Sequence, residues 1–403
     1  MNRICMYMPS ASGGHPLYVQ ELMTAMVQRS GDAGDLELVS SIDLEDRFMS
    51  SQYAVHRILP GLRKKNEFGN RLSWACNRTM HYARRERCFL NWLRTRPDIT
   101  AVHFQEFSCW LPTLLGAIRR MGLKIFYTAH FVRPHAYPAI FPHTAWDARH
   151  RLACHLCDRL FVLSEQVRDE LAQFIGSPHP AIDIAPHGVW TIGQSSTSSA
   201  LDQRLNQKKL LFFGTMRQNK GLDLVLEAMP QLPDFQLTIA GAPLEMGYFY
   251  NQVMPKVRQL IANGARIEVI DRYVNDQETA SLFAGHSALL LPYTREFTAQ
   301  SGVIFLALAH EIPVVCSDVG GLSDILHDFQ IGAAFSESRA DAFVAAVHSL
   351  FAQSQTGTLA RNIRQARKHF SWNEAARATW RGYSQTFKED IHANECAVSN
   401  ISA

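Results

Sequence analysis

Two cations in a loop bracketed by glycines carry the clearest chemistry of this chain. Residues 210–229, LLFFGTMRQNKGLDLVLEAM, lead from an apolar, strand-like run through Gly214, Arg217, Lys220 and Gly221 into a helical pattern. Leu222, Val225, Leu226 and Met229 then share one face at the spacing of a core-facing helix. The loop therefore sits at a strand's carboxyl end, where open parallel sheets hold their ligands. Glycine lets the backbone approach a guest closely, and the helix that follows offers unpaired N–H groups. The natural guest is a phosphate or diphosphate. A helix end contributes only about 0.3–1 kcal/mol, so Arg217 and Lys220 must supply most of the charge complement.

The elements that position this loop recur along the chain. Strand-like runs at 3–8, 101–105, 124–128 and 159–163 alternate with helical patterns at 17–29, 111–121 and 166–174, the β-α-β rhythm of a parallel sheet. The rhythm breaks at 191–209, polar and rich in serine, which reads as an interdomain linker. It resumes at 210–213, 236–240, 267–270, 288–292 and 313–316. The expected organisation is a Rossmann-like domain over 1–190, the linker over 191–209 and a second Rossmann-like domain over 210–370. A helix over 371–387 then crosses back over the domain boundary, and a frayed tail follows over 388–403. Two such domains facing each other would make a deep cleft.

Composition removes several classes of function. At 403 residues the chain exceeds one ordinary core, and 47% hydrophobic with 19% charged residues is an ordinary soluble balance. A formal charge of +3 is too small for a dedicated nucleic-acid binder. Eight cysteines without a framework spacing fit a reducing cytoplasm. Cys154 and Cys157 form a C-x-x-C, but no second pair stands at zinc spacing. The opening MNRICMYMPS reads as a first strand and not a signal peptide. No run reaches the roughly 18–20 apolar residues that span a bilayer.

Segment 63–96, bounded by Arg63 and Arg96, holds ten Lys or Arg residues against Glu67 and Glu86. Leu72, Cys76, Ala83, Leu90 and Leu93 can share a helical face there. With Trp74, Phe89 and Trp92 it can lie on an anionic membrane surface at the inner face of a membrane, or else cover the sheet as a solvated helix.

Several motifs together resemble the retaining nucleotide-sugar glycosyltransferases of family 4, which have the GT-B fold. They are Gly13-Gly14 after the first strand, TAHF at 128–131, PHGV at 186–189, FFGTMRQNKG at 212–221, RYV at 272–274, PYTREFTAQSGV at 292–303 and PVVCSDVGGLSDI at 313–325. The resemblance implies that Arg217 and Lys220 clamp the donor's diphosphate and that Gly13 and Gly14 close on the donor from the other domain. It also implies that His130 touches the donor sugar, and Tyr273 and Val274 are expected beside the base. The family commonly carries two glutamates separated by seven residues, the first facing the donor sugar and the second holding the ribose hydroxyls. Here Glu296 is the only carboxylate of its loop, and the second position, counted back from Pro313, is Leu306, which cannot accept from a ribose. FTAQSGV, with Gln300, Ser301, Gly302 and Val303, resembles the T-Q-S-G-V-like loop of some members.

The implied reaction is transfer of a sugar from a nucleotide diphosphate sugar to a glycan, lipid-linked or small-molecule acceptor held by the N-terminal domain. Retention follows from front-face attack, in which the leaving phosphate oxygen takes the acceptor's proton. Glu296 would orient the sugar hydroxyls and His130 would fix the sugar, both positioning roles. Arg217, Lys220 and backbone N–H groups around Ser301 to Val303 would stabilise the leaving diphosphate. No D-x-D occurs, so the usual carboxylate pair for a bridging cation is missing and no metal or further cofactor is expected. Two other readings remain at this point: a noncatalytic GT-B protein that binds a nucleotide or a partner, and a nucleotide-sugar isomerase. A dehydrogenase is disfavoured because no G-x-G-x-x-G follows a strand.

Overall fold

The computed structural model describes residues 2–30, 36–61, 71–133, 142–191, 201–297, 301–319, 321–336, 339–352 and 356–401. Its strands form two sheets. The first contains β1 (Arg3–Tyr7), β2 (Leu36–Ser41), β3 (Ala54–Leu59), β4 (Ile99–Phe104), β5 (Lys124–Thr128), β6 (Arg159–Val162) and β7 (Ala181–Ile184), in the order β3-β2-β1-β4-β5-β6-β7. The second contains β8 (Lys209–Phe213), β9 (Gln236–Ala240), β10 (Arg266–Ile270), β11 (Ala288–Leu291), β12 (Val314–Ser317) and β13 (Gly332–Phe335), in the order β10-β9-β8-β11-β12-β13. Every pairing is parallel. The fold is therefore two doubly wound α/β domains, as the alternating pattern predicts. In each sheet the strand order reverses once, between β1 and β4 and between β8 and β11, and these reversals are the switch points where ligands bind.

The central strands are apolar because helices cover both faces of such a sheet. All four residues of β11 are buried, as are all four of β12. Strand β2, LELVSS, escapes a hydropathy reading because half of it is polar, yet all six residues are buried. Glu37 is tolerated there because Arg96 donates to its Oε2 at 2.9 Å and His56 Nε2 lies 3.0 Å from the same oxygen. Strands β3 and β7 are edge strands with few fully buried residues, so they too lack a clear apolar signature.

The chain divides into one unit made of Met1–Gly188 with Trp372–Ala403 and a second made of Val189–Ser371. The last helix thus belongs with the first sheet. It runs over Trp372–Ile401, past the expected stop at residue 387 and through the segment expected to fray. Buried Arg159 on β6 explains part of that extension: it donates to Thr386 Oγ1 at 2.9 Å, to Gln385 Oε1 at 3.2 Å and to Glu389 Oε1 at 3.1 Å. Just before them on the helix, the Tyr383 ring packs 4.5 Å from that of Phe126. Its hydroxyl lies 2.5 Å from Nδ1 of the fully buried His103.

The basic helix spans Arg71–Leu93, and residues 62–70, with Arg63, lie outside the described residues. Its apolar face covers the sheet. Phe89 and Leu93 are buried, Phe89 packing 4.6 Å from the Tyr7 ring, whereas Cys76 is exposed. Arg84 and Arg87 are exposed, but Arg85 points inward and is buried. Among the described residues no helix is long and apolar enough to cross a membrane. Cys154 and Cys157 are buried free thiols, and no group of metal-ligating side chains occurs among the described residues.

Tyr383→Phe keeps the ring packing and leaves His103 Nδ1 without a partner in a dry site. It should destabilise the chain by about 1–3 kcal/mol, read as a lower urea midpoint with an unchanged slope. An unchanged midpoint would show that the contact is dispensable.

Candidate functional site

At the second switch point, the loop after β8 is sewn to its neighbours by backbone bonds. Gly214 N donates to Ala240 O at 2.9 Å, Met216 N to Ala242 O at 3.0 Å, and Gln218 N to Glu245 Oε2 at 3.0 Å. A single 3-10 turn, Gln218–Lys220, then meets Gly221 at φ +71°, a conformation that disfavours any side chain. A Cβ at Gly221 would also lie 1.7 Å from the carbonyl oxygen of Pro292. The loop after β11 thereby presses directly on the loop after β8, and Thr294 N donates to Asn219 O at 3.1 Å.

This closeness fixes Lys220. Its ammonium stands 3.7 Å from the ring centroid of Tyr293 and 4.7 Å from that of Phe297. The Tyr293 hydroxyl is 2.8 Å from Ser301 Oγ, which anchors the ring. Burial, with the charge of Arg217 adding to it, lowers the Lys220 ammonium to about 7. Burial also lowers Arg217, with Glu245 opposing. Neither cation has an ion pair among the described residues. Among the described residues, three buried polar atoms of this loop pair have no hydrogen-bond partner: Arg217 Nε, Asn219 Oδ1 and Thr294 Oγ1. An unmatched buried group costs about 1–3 kcal/mol, so two desolvated cations with idle polar atoms beside them form a seat for an anion.

The other expected donor residues of the second unit are placed less uniformly. Glu296 is exposed in the turn between Tyr293 and Phe297. Gln300 lies outside the described residues. Ser301 is the N-cap of the helix Gly302–Ala309, accepting from Val303 N at 3.3 Å. That bond occupies the Val303 amide, so this backbone donor is already engaged. Trp190 Nε1 donates to Gly302 O at 2.7 Å and pins the start of the same helix, a contact no sequence motif announced. Leu306 lies in that helix. Tyr273 is 59% exposed, whereas Val274 is buried and lines a cavity of about 450 Å³ with Ile270, Gln277, Ser281 and Leu282. Arg217 and Lys220 do not line that cavity.

The first unit gathers its polar residues at its own switch point. Gly13, at φ +91°, and Gly14 end the loop after β1 and open the helix Gly14–Ser30, with free space where side chains would stand. His15 follows, its Nδ1 3.3 Å from Glu106 Oε1, and its ring stacks on His130 at 4.8 Å. Burial opposes charge on His15, yet the Glu106 hydrogen bond and charge raise its pKa. His130 moves the other way, lowered well below the usual range by burial and by the charges of His15, His187 and His103. The neutral His130 donates from Nε2 to Gln105 Oε1 at 3.1 Å, leaving Nδ1 as an acceptor. The Gln105 amide donates to Thr128 Oγ1 at 3.4 Å, and Thr128 Oγ1 lies 2.7 Å from His103 Nε2. Sequence reasoning found His130 but missed His15 and Glu106. Their signal was position alone, directly after Gly13-Gly14 and two residues past β4.

Two family models match successive parts of the chain. Residues 13–191 match the family model described as Glycosyltransferase Family 4, and residues 207–353 that described as Glycosyl transferases group 1. A glycogen synthase of Thermus thermophilus is 28% identical over 207 residues, covering 49% of this chain and 43% of the relative. A D-inositol 3-phosphate glycosyltransferase of Mycobacterium marinum is 25% identical over 237 residues, covering 56% and 50%. The matches thus span about half the length of these curated relatives. In fold, the chain is similar to sucrose-phosphate synthase from Thermosynechococcus elongatus, with a TM-score of 0.75 at 16% identity, covering 96% of this chain and 100% of that one. It is also similar to Anabaena HepE, solved with UDP and glucose, with a TM-score of 0.68 at 14% identity, covering 95% and 100%.

An anion bound at Lys220 favours its charged form. With the free ammonium at about 7, binding of a nucleoside diphosphate should take up a proton at pH 8 that is already present at pH 6. Calorimetry in two buffers of different ionisation enthalpy reads this uptake, and Lys220→Gln should remove it. Equal heats in both buffers at pH 8 would contradict the assignment.

Proposed function

We propose that this chain, a GT-B glycosyltransferase of family 4, transfers a sugar from a nucleotide diphosphate sugar to a glycan or glycolipid acceptor in polysaccharide synthesis. The observation that carries the reading is the pair of desolvated cations Arg217 and Lys220 at the second switch point, without an ion pair among the described residues. Their chemistry suits a leaving diphosphate, on which negative charge grows as the anomeric bond breaks. Retention follows if the leaving oxygen takes the acceptor proton, a step for which the protein need supply no nucleophile. Two cations already on the diphosphate, in a chain without D-x-D, make a bridging metal unnecessary.

The donor's sugar needs positioning more than acid–base help. His130, neutral and oriented through Gln105, offers Nδ1 as a hydrogen-bond acceptor for a sugar hydroxyl. Glu296, exposed beside the cation seat, is the carboxylate suited to orient hydroxyls and to stabilise positive charge at the anomeric carbon. A noncatalytic nucleotide-binding role is the second reading, favoured by one observation: Leu306 stands where a ribose-binding carboxylate is expected.

Lys220→Ala and Arg217→Ala should each weaken nucleoside diphosphate binding by roughly 1.5–3 kcal/mol and leave nucleoside binding nearly unchanged. Equal losses for both ligands in calorimetry would remove the diphosphate assignment. Glu296→Gln should lower kcat and kcat/KM together while preserving affinity for the free nucleotide. A change in turnover below about twofold, under roughly 0.5 kcal/mol of barrier, would make Glu296 a bystander. No turnover of any nucleotide sugar by the unmodified chain, despite tight diphosphate binding, would select the noncatalytic reading.

A further inference from the structure

Two histidines lie face to face at the first unit's switch point, and their partners differ. The ring centroids of His15 and His130 are 4.8 Å apart and the rings are inclined by only 25°. At that separation two imidazolium charges oppose each other, so a proton on one ring disfavours a proton on the other. Consecutive residues of the loop after β4 engage the two rings. Gln105 Oε1 accepts from His130 Nε2 at 3.1 Å, whereas Glu106 Oε1 lies 3.3 Å from His15 Nδ1. A neutral amide oxygen holds one ring and a carboxylate holds the other. The shared charge therefore belongs on His15. Tyr18, one turn further along the helix Gly14–Ser30, meets the His130 ring edge-on at 4.8 Å and fixes its plane.

The helix itself gives His15 no reason to be charged. His15 stands in its first turn, where the field of the helix disfavours a cation and no acidic residue occurs. Glu106, reaching over from the sheet, supplies the missing counter-charge. Burial works against the Glu106 carboxylate, yet the bond to His15 and its charge, with Arg85 and Ser10 adding, lower its pKa. The other groups that act on His130 are uncharged. Burial brings His103 and His187 each down to about 3, and burial raises the Tyr18 phenol, which stays protonated. Burial and the charge of His15 thus act on His130 in the same direction.

We propose that His15 and Glu106 are positioning residues for the transfer: by keeping the charge of the stack on His15, they hold His130 as a neutral hydrogen-bond acceptor for a sugar hydroxyl. The role rests on the transferase reading, but the place of the proton is measured without turnover. Once His15 loses its charge, His130 takes up a proton more readily. Its Nδ1 then becomes a donor, and the lone pair that a hydroxyl would meet is gone.

The full chain carrying isotope-labelled histidine is titrated with acid and followed by NMR, the two rings being identified by the signals lost in His15→Gln and His130→Gln. In the native chain His130 should stay neutral with its proton on Nε2 while His15 is charged. His15→Gln should move the His130 titration to higher pH, and Glu106→Gln should move His15 to lower pH and His130 to higher pH. His15→Arg, planar and permanently charged, should leave His130 where it stands in the native chain. With a nucleotide sugar that the chain turns over, the acid limb of kcat/KM should follow His130, rising in pH for His15→Gln and restored by His15→Arg. A His130 titration that ignores His15→Gln overturns the inference, as does an equal displacement by Gln and Arg, which marks a packing effect. An acid limb that stays in place while the His130 titration moves overturns the positioning role. If Glu106→Gln does not fold, the two His15 variants decide the matter. The expected titrations in a chain that turns over no nucleotide sugar sustain the pairing and overturn the transferase reading instead.

Discussion

The close approach of Gly221 to the carbonyl of Pro292 is the contact on which the second unit's chemistry depends. Two loops leaving neighbouring strands of a parallel sheet normally diverge, which is what opens a crevice at a switch point. Here a residue without a side chain lets them touch at their base. That touch brings Tyr293 and Phe297 beneath the Lys220 ammonium and withdraws it from water. Aromatic faces attract the cation yet offer no conventional hydrogen-bond acceptor to its N–H groups. The lowered pKa of Lys220 thus follows from the burial that this contact helps impose, with the charge of Arg217 adding to it.

The first unit solves a different problem. Its residues must be oriented more than charged, and a buried relay does so: His130, Gln105, Thr128, His103 and Tyr383 follow one another through hydrogen bonds. Each member fixes the tautomer or rotamer of the next, and burial keeps the histidines neutral, His103 down at about 3. The relay begins just past the carboxyl end of β5 and ends on the last helix, so the orientation of one imidazole is tied to the docking of a helix far along the chain.

Much of this was legible in the sequence because it was periodic. Apolar runs gave the central strands, and the 3, 4, 7 spacing after Lys220 gave a helix whose four predicted core residues are buried. What escaped was polar burial. Strand β2 hides Glu37 and two serines, and Arg85 lies in the interior of a helix whose cations read as a solvated stripe. Hydropathy cannot distinguish a charge that faces water from one that a partner, a ring or a ligand keeps company. The pairing of His15 with Glu106 was hidden for another reason, since a contact between residues 91 apart exists only once the sheet is assembled.

The second unit is inserted within the first, because the chain leaves the first after Gly188 and returns at Trp372. On a ribosome the inserted unit can therefore close while its host is still waiting for Tyr383 and the helix that carries it. Until then Phe126 and Phe161 present bare aromatic surface, and His103 has no phenol to meet. The last helix acts as a completion signal, so that the histidine relay of the first unit locks only in a chain whose inserted unit has already been made.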